Sequence, residues 1–347
     1  MYRIYIRGVG VIGWSITSLL LELKKIVSDI EIIIDPYILN DDNLFQVKAL
    51  LLKGARIIFN NQNQVDKYQE IKDYLIPENE VKKTTQAVID CSPPQVAEKR
   101  VFEYKDTTYP LSQIFLAQGS EHKFGKQIIY PESKSILELK EKYFHISTCN
   151  THTLVAIQRV LENSSKIENL DLVIIRRDAD MAKNDPHVTG PLFQIPVHEN
   201  GTHHSKLLNE FYNTLNKNYD ITSSAITVNS PYMHCTRFVA KMSKVTSKQL
   251  ILESIKNDIY TSYTNKISTN SIFSSGRDRG INGRIYSHGV WVLPCLEVDK
   301  NIIRGIVATP GDSNVVLSSI YSVLYKLNYP RLDDCINFLN QFIIEEI

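Results

Sequence analysis

The sequence predicts an α/β fold: a Rossmann-type doubly wound parallel sheet, followed by an α+β catalytic domain with a mainly antiparallel sheet. Three observations carry this. Residues 2–7, "YRIYIR", run into Gly8, Gly10 and Gly13 at G-x-G-x-x-G spacing, and apolar residues then recur at helical spacing. Short apolar runs alternate with helical patterns up to about residue 148, as expected of parallel strands joined by crossover helices. Beyond about residue 165 the apolar runs lengthen and helical patterns thin out.

The elements follow in order. A strand over 2–7 leads into a helix reaching about residue 26, with Ile12, Ile16, Leu19, Leu20 and Leu23 on one face. A second strand, "DIEIIIDPY", carries Asp35 at its C-terminal end. The glycines allow a tight turn and bring backbone close to a pyrophosphate at a helix N-terminus; an acid about 20 residues on suits a ribose diol. Gly8, Gly10, Val11, Ile12, Gly13 and Asp35 are therefore candidate dinucleotide contacts. Next come a helix over 45–53, a strand over 55–59, a polar surface loop at 60–64, a helix over 66–75 and strands over 86–93 and 112–119. A helix over 133–142 and a strand over 143–147 complete the pattern. Ligands of such sheets sit beyond the C-terminal strand ends. Ser92, Pro93, Gln118 and Gly119 fall at such ends and join the cofactor set, and Cys149 falls at another.

This divides the chain into a dinucleotide-binding domain, 1–148, completed by a C-terminal helical segment, 313–347, and a catalytic domain, 149–312. In the latter, strands are expected in "LDLVIIRRDAD", "SSAITVNS", "MHCTRFVAKMSK", "IYSHGVWVLPCLEV" and "NIIRGIVATP", with a helix at about 246–258 as the main exception. Helices over 313–327 and 332–344 close the chain.

Composition narrows the function. The 347 residues are 43% hydrophobic and 22% charged with net charge +1, which argues against a general nucleic-acid binder. The longest apolar runs are too short to span a bilayer, and the N-terminus has no signal-peptide pattern. Five scattered cysteines without a CxxC point to a reducing cytoplasm and no disulfide framework. His203 and His204 are adjacent, not four apart, so no metal site is expected.

"STCNTHTL" (147–154) places Cys149 where a strand hands over to a helix. A thiolate beside a nicotinamide suits an aldehyde: sulfur adds to the carbonyl and the adduct then loses hydride. Backbone N–H groups and the positive end of the helix favour both thiolate and oxyanion.

At this point the sequence resembles the archaeal-type (type II) glyceraldehyde-3-phosphate dehydrogenases. The segments that carry the resemblance fall in family order: "RGVGVIG" (7–13), "VIDCSP" (88–93), "IFLAQGSEH" (114–122), "STCNTHTL" (147–154), "VIIRRDAD" (173–180), "GPLFQIPV" (190–197), "THHS" (202–205), "YMHCT" (232–236) and "VWV" (290–292). The resemblance implies phosphorylating oxidation of glyceraldehyde 3-phosphate with NAD or NADP, by a homotetramer. It assigns Cys149 as nucleophile, followed by Asn150, which organises the turn, and Thr151, which helps hold phosphate. His234 matches a base that takes the thiol proton and later serves the hydroxyl during hydride transfer. Arg176 and Arg177 match a phosphate-binding basic pair, and His203 and His204 an anion-binding pair. Strand alternation allows only one member of each pair to face the site, without deciding which. His152 either lines the site or, the favoured reading, sits on an exposed first turn, and Cys235, Cys295 and Cys335 are expected in packing roles.

Four departures stand out. Asp178 follows the arginine pair where the family has Gly, and Thr236 replaces the second histidine of "MHxH". "HHSKL" stands for "HHGPD", and "TPGDSN" (309–314) for "HQESD" near the nucleophile. A further difference concerns the cofactor: Asp35, with Asp41 and Asp42 nearby, favours NAD by repelling a 2′-phosphate. Two other readings remain open: a related dehydrogenase of another aldehyde, such as aspartate semialdehyde, and a non-catalytic paralogue that binds nucleotide or a protein partner.

Overall fold

The computed structural model describes residues 1–59, 67–119, 121–178 and 187–347. The loop expected at 60–64, Ser120, and the end of the "RRDAD" segment lie outside the described residues. The chain forms two compact units, Met1–Ser147 with Val316–Leu339, and Thr148–Val315 with Asn340–Ile347.

In the first unit, strands β1 (Tyr2–Arg7), β2 (Ile30–Asp35), β3 (Arg56–Phe59), β4 (Leu75–Pro77), β5 (Ala87–Asp90), β6 (Ile114–Gln118), β7 (Lys126–Ile128) and β8 (Tyr143–Ile146) form one sheet. Its order is β4-β3-β2-β1-β5-β6-β8-β7, and every pairing is parallel. Ile4, Ile6, Ile32, Ile33 and Ile34 are all fully buried, so β1 and β2 are covered on both faces, as parallel sheets require. Helix α1 (Val11–Leu23) buries Ile16, Leu19, Leu20 and Leu23 as its spacing predicts. Helix α2 (Asp41–Leu52) begins four residues before the expected 45, because Asn40 and Asn43 form a reciprocal capping box.

Three local expectations change. The helix expected over 66–75 is a short 3₁₀ turn, Gln69–Tyr74, running into β4, whose Ile76 pairs beside Ile58 in the sheet. The helix expected over 133–142 shrinks to α5, Lys134–Leu137. Two short helices, α3 (Glu78–Thr84) and α4 (Val96–Arg100), and strand β7 were not expected. Each is too short to show a period of its own.

The second unit opens on α6 (Cys149–Glu162), whose Leu154, Val155, Ile157, Val160 and Leu161 are fully buried. Strands β9 (Ile167–Arg177), β10 (Leu192–Phe193), β11 (Asp220–Val228), β12 (His234–Met242), β13 (Ser262–Thr264), β14 (Val290–Val292) and β16 (Ile302–Thr309) assemble in the order β10-β11-β9-β12-β16-β14-β13. β15 (Glu297–Asp299) pairs with β16. The pairings are antiparallel except β9–β11 and β13–β14, so the sheet is mixed and mainly antiparallel.

The expected helix appears as α8 (Lys248–Asn257), capped by Ser247. Two further helices, α7 (His203–Thr214) and α9 (Thr269–Arg279), were missed. α7 buries Leu207, Leu208, Phe211 and Tyr212, an i, i+1, i+4, i+5 stripe inside an otherwise polar run. The terminal helices are α10 (Val316–Lys326) and α11 (Leu332–Asn340). The segment 313–347 is not one piece: its ends, 313–315 and 340–347, belong to the second unit, where Tyr263 N–H donates to Glu345 O at 2.9 Å. Among the described residues no helix is long and apolar enough to cross a membrane.

Candidate functional site

The first unit holds a glycine cradle at the C-terminal ends of β1, β2 and β5, where Arg7 lies in register with Asp35 and Asp90. Gly8 has φ +83°, and a Cβ there would lie 2.6 Å from Cys91 O. A Cβ on Gly13 would lie 1.8 Å from Gly8 O, so the turn closes only without side chains. Gly10 caps α1 with no side-chain bond and nothing within 4 Å of a Cβ position. Val11 and Ile12 form the first helical turn, which contains no acid. This open, glycine-lined helix N-terminus fits a pyrophosphate.

Asp35 ends β2, and its carboxylate accepts from Tyr37 N–H (2.9 Å) and Tyr5 OH (3.2 Å) and pairs with Arg7 Nε (3.6 Å). The acid is therefore held in place and partly balanced by a buried arginine. Ser92 N–H donates to Asp90 (2.9 Å), Pro93 is exposed, and Gly119 follows β6 at φ +79°. Gln118 instead donates to Ser319 Oγ on α10 (3.0 Å), which ties that helix to the sheet.

The second unit gathers the proposed chemistry. Thr148 caps α6, with its Oγ1 2.9 Å from Thr151 Oγ1, and puts Cys149 in the first turn. Asn314 fixes the main chain at Cys149: its Nδ2 donates to Cys149 O (2.9 Å) and His288 O (3.0 Å). Gly311 lies beside the thiol. A Cβ there would be 3.7 Å from Cys149 Sγ and 3.8 Å from His234 Nε2, so both atoms flank one small gap. Burial pushes the Cys149 thiol up, opposed by Arg177, the Asn150 N–H and Arg176, and reinforced by Asp312. The thiol needs help to ionise at neutral pH.

His234 stands at the start of β12, and its Nδ1 accepts from Arg177 N–H at 2.9 Å. A backbone N–H can only donate, so the neutral ring carries its proton on Nε2. The expected uptake of the thiol proton at Nε2 does not fit this ring. The group is arranged as a donor toward the gap beside Cys149.

Both arginines end β9, but they differ. Arg177 Nη2 pairs with Asp312 Oδ1 at 2.8 Å, and Arg284 Nη1 with Asp312 Oδ2 at 3.4 Å. Arg176 makes no ion pair among the described residues, and its charge reaches both Cys149 and His204. His203 and His204 open a helix, not a strand, so neighbouring side chains diverge by about 100°. His203 is exposed; His204 is buried, with both ring nitrogens unsatisfied. Burial, His203, Arg176 and His234 push His204 down to about 3, so it is neutral. Thr151 and Asn150 are buried in the first turn of α6.

Asp178 Oδ2 accepts from Val188 N–H and lies 2.9 Å from His187 Nδ1. One expectation is corrected. His152 is fully buried, not exposed; its Nδ1 meets Thr148 O at 3.1 Å and its ring packs edge-on against His288. The first turn of a helix buried all round has no exposed side. Cys235 and Cys295 pack against an apolar cluster and Cys335 is buried. "TPGDSN" stands out in the sequence as a departure, but nothing local assigns Gly311, Asp312 or Asn314. Arg284 and His288 carried no local signal.

A glycine-cradled parallel sheet and a cysteine-headed helix flanked by histidine and arginine define a dehydrogenase-like protein that fits a nicotinamide dinucleotide. No family model matches the chain. It is 22% identical to the glyceraldehyde-3-phosphate dehydrogenase of Sulfolobus acidocaldarius, over 98% of this chain and 96% of that one, a distant relationship along the full length.

Proposed function

We propose that the protein is a phosphorylating aldehyde dehydrogenase of the type II glyceraldehyde-3-phosphate dehydrogenase kind. It converts glyceraldehyde 3-phosphate and inorganic phosphate to 1,3-bisphosphoglycerate in the cytoplasm. The observation that carries this is the shared gap at Gly311, which brings Cys149 Sγ and His234 Nε2 to one point beside two arginines.

A nicotinamide dinucleotide, when bound, supplies the hydride acceptor. Gly8, Gly10, Val11, Ile12 and Gly13 would hold its pyrophosphate, and Asp35 a ribose diol, which favours NAD. Helped by Arg177, the Asn150 N–H and Arg176, Cys149 gives up its proton to water and adds as the thiolate to the aldehyde; a C–S bond forms and the carbonyl electrons move to oxygen. His234 Nε2–H donates to that oxyanion. Loss of hydride restores the C=O bond as a thioester on Cys149. Phosphate attacks it, the C–S bond breaks, and the thiolate returns with the acyl phosphate released. Arg176 holds a phosphate group through its guanidinium fork. Exposed Leu192, Phe193, Ile195 and Val197, on and after edge strand β10, support assembly into a homotetramer, which light scattering would test.

Cys149→Ser should remove nearly all aldehyde-dependent reduction of NAD, followed by absorbance in the presence of phosphate. Wild-type rates in that variant would overturn the mechanism. Dinucleotide binding with no turnover by the wild type would favour the non-catalytic paralogue. A higher kcat/KM with NADP would overturn the cofactor preference.

A further inference from the structure

We propose that Asp312 occupies an anion site from within the chain. Its carboxylate holds the Arg177–Arg284 pair that a phosphate-class dianion would otherwise bind, and so sets how tightly phosphate binds beside Cys149.

The two oxygens of Asp312 are divided between two arginines, Oδ1 to Arg177 and Oδ2 to Arg284. Two guanidinium groups converging on one oxyanion is the arrangement by which arginines hold phosphate. Arg177 N–H is bonded to His234, whose Nε2 shares the Gly311 gap with Cys149 Sγ, and its charge acts on the thiol, so the Arg177 end of the pair borders the sulfur. Asp312 cannot drift from this post. Gly311 sits beside Sγ, Ser313 Oγ donates to Ile285 O, and Asn314 is bonded to Cys149 O and His288 O. A carboxylate tethered on both sides competes at high effective concentration with any free anion. Arg176, which has no ion pair among the described residues, is the cation left open.

This rests on the proposed reaction in one respect: that reaction must hold two phosphate groups, the substrate's own and the inorganic one. Arg176 serves one, and the other must displace Asp312. The shared chemistry is a phosphate dianion; the test separates its two sources.

The test uses direct binding, so it does not depend on turnover. Inorganic phosphate and, separately, glycerol 3-phosphate are titrated calorimetrically into the wild type, Asp312→Asn and the double variant Arg177→Gln/Asp312→Asn. Removing one charge-assisted competitor should lower the Kd for at least one probe roughly tenfold in Asp312→Asn. The double variant should lose that gain. Because it also restores the site's net charge, Arg177→Lys/Asp312→Asn is the control: it keeps the cation without the guanidinium fork and should lose most of the gain, whereas a full gain there would mark a mere rise in site charge and overturn the proposal. The probe that gains identifies which phosphate meets Asp312. If Asp312→Asn does not fold, Asp312→Ser replaces it. Unchanged or weaker binding of both probes in the folded variant, or a gain that survives loss of Arg177, overturns the proposal. Failure of the dehydrogenase reading would instead show as absent turnover with these binding shifts intact.

Discussion

The glycine cradle of the first unit and the thiol site of the second are built on opposite principles. The cradle is made of backbone. Gly8, Gly10 and Gly13 lie within six residues, and their job is to have no side chains. The thiol site is made of side chains drawn from α6, β9, β12, the turn before β14 and the turn after β16. One is a local motif; the other exists only once a mixed sheet has folded. The cradle should tolerate almost no substitution, whereas the thiol site should respond to each change in a graded, chemically specific way.

The sharpest way to break this contrast is Gly13→Ala. Its Cβ would sit 1.8 Å from Gly8 O, a backbone atom that cannot step aside. The expected cost is about 4 kcal/mol or more, with loss of dinucleotide binding, read by thermal unfolding and by calorimetry. A variant that folds and binds normally would show that the turn is looser than described.

The thiol site is tested by pairing His234→Ala with His234→Gln. As an Nε2–H donor, His234 should lose roughly 100-fold or more in kcat on truncation. Gln, which keeps an N–H donor, should recover part of that loss. Equal loss in both variants would restore the proton-acceptor role expected from the sequence.

The smallest effect is shared by both units. Burial pushes His145 down to about 4 in the first unit, and burial with neighbouring charge pushes His204 down to about 3 in the second. Both are neutral when folded, and the unfolded chain protonates near 6.5. Their contribution is therefore present above pH 6.5 and is lost as pH falls from there toward 4 and 3. Each steepens the decline by up to about 1.4 kcal/mol per pH unit. His145→Gln and His204→Gln should each flatten denaturant-measured stability between pH 6 and 4. A slope unchanged in both would mean that other groups govern acid unfolding.

The contrast also explains what could be read from the sequence. The parallel sheet was legible because β1, β2, β5 and β6 are short buried runs punctuated by glycine and proline. The glycine turn was legible because its three glycines fall within six residues. Cys149 was legible from its place at the head of a helix. The partners that decide its chemistry were not. Asp312 and Arg284 lie 28 residues apart, and Asp312 meets Arg177 across a separation of 135. No local pattern encodes such a pairing. The tautomer of His234 depends on a backbone N–H 57 residues away. Helix α7 was missed because its apolar stripe is interrupted by charged and amide residues, and the His203–His204 pair was consequently given the wrong periodicity.

The spacing of the segment after β16 has a consequence for how this protein can change. Gly311 must stay beside the sulfur, and three positions later Asn314 must reach the carbonyl of Cys149. The number of residues between these two points cannot vary. An insertion or deletion there would release either the gap or the anchor. Asp312 thus stands where any substitution is delivered straight to Arg177 and, through their opposed charges, to the Cys149 thiol, making this position a dial that a lineage, or an engineer, can turn.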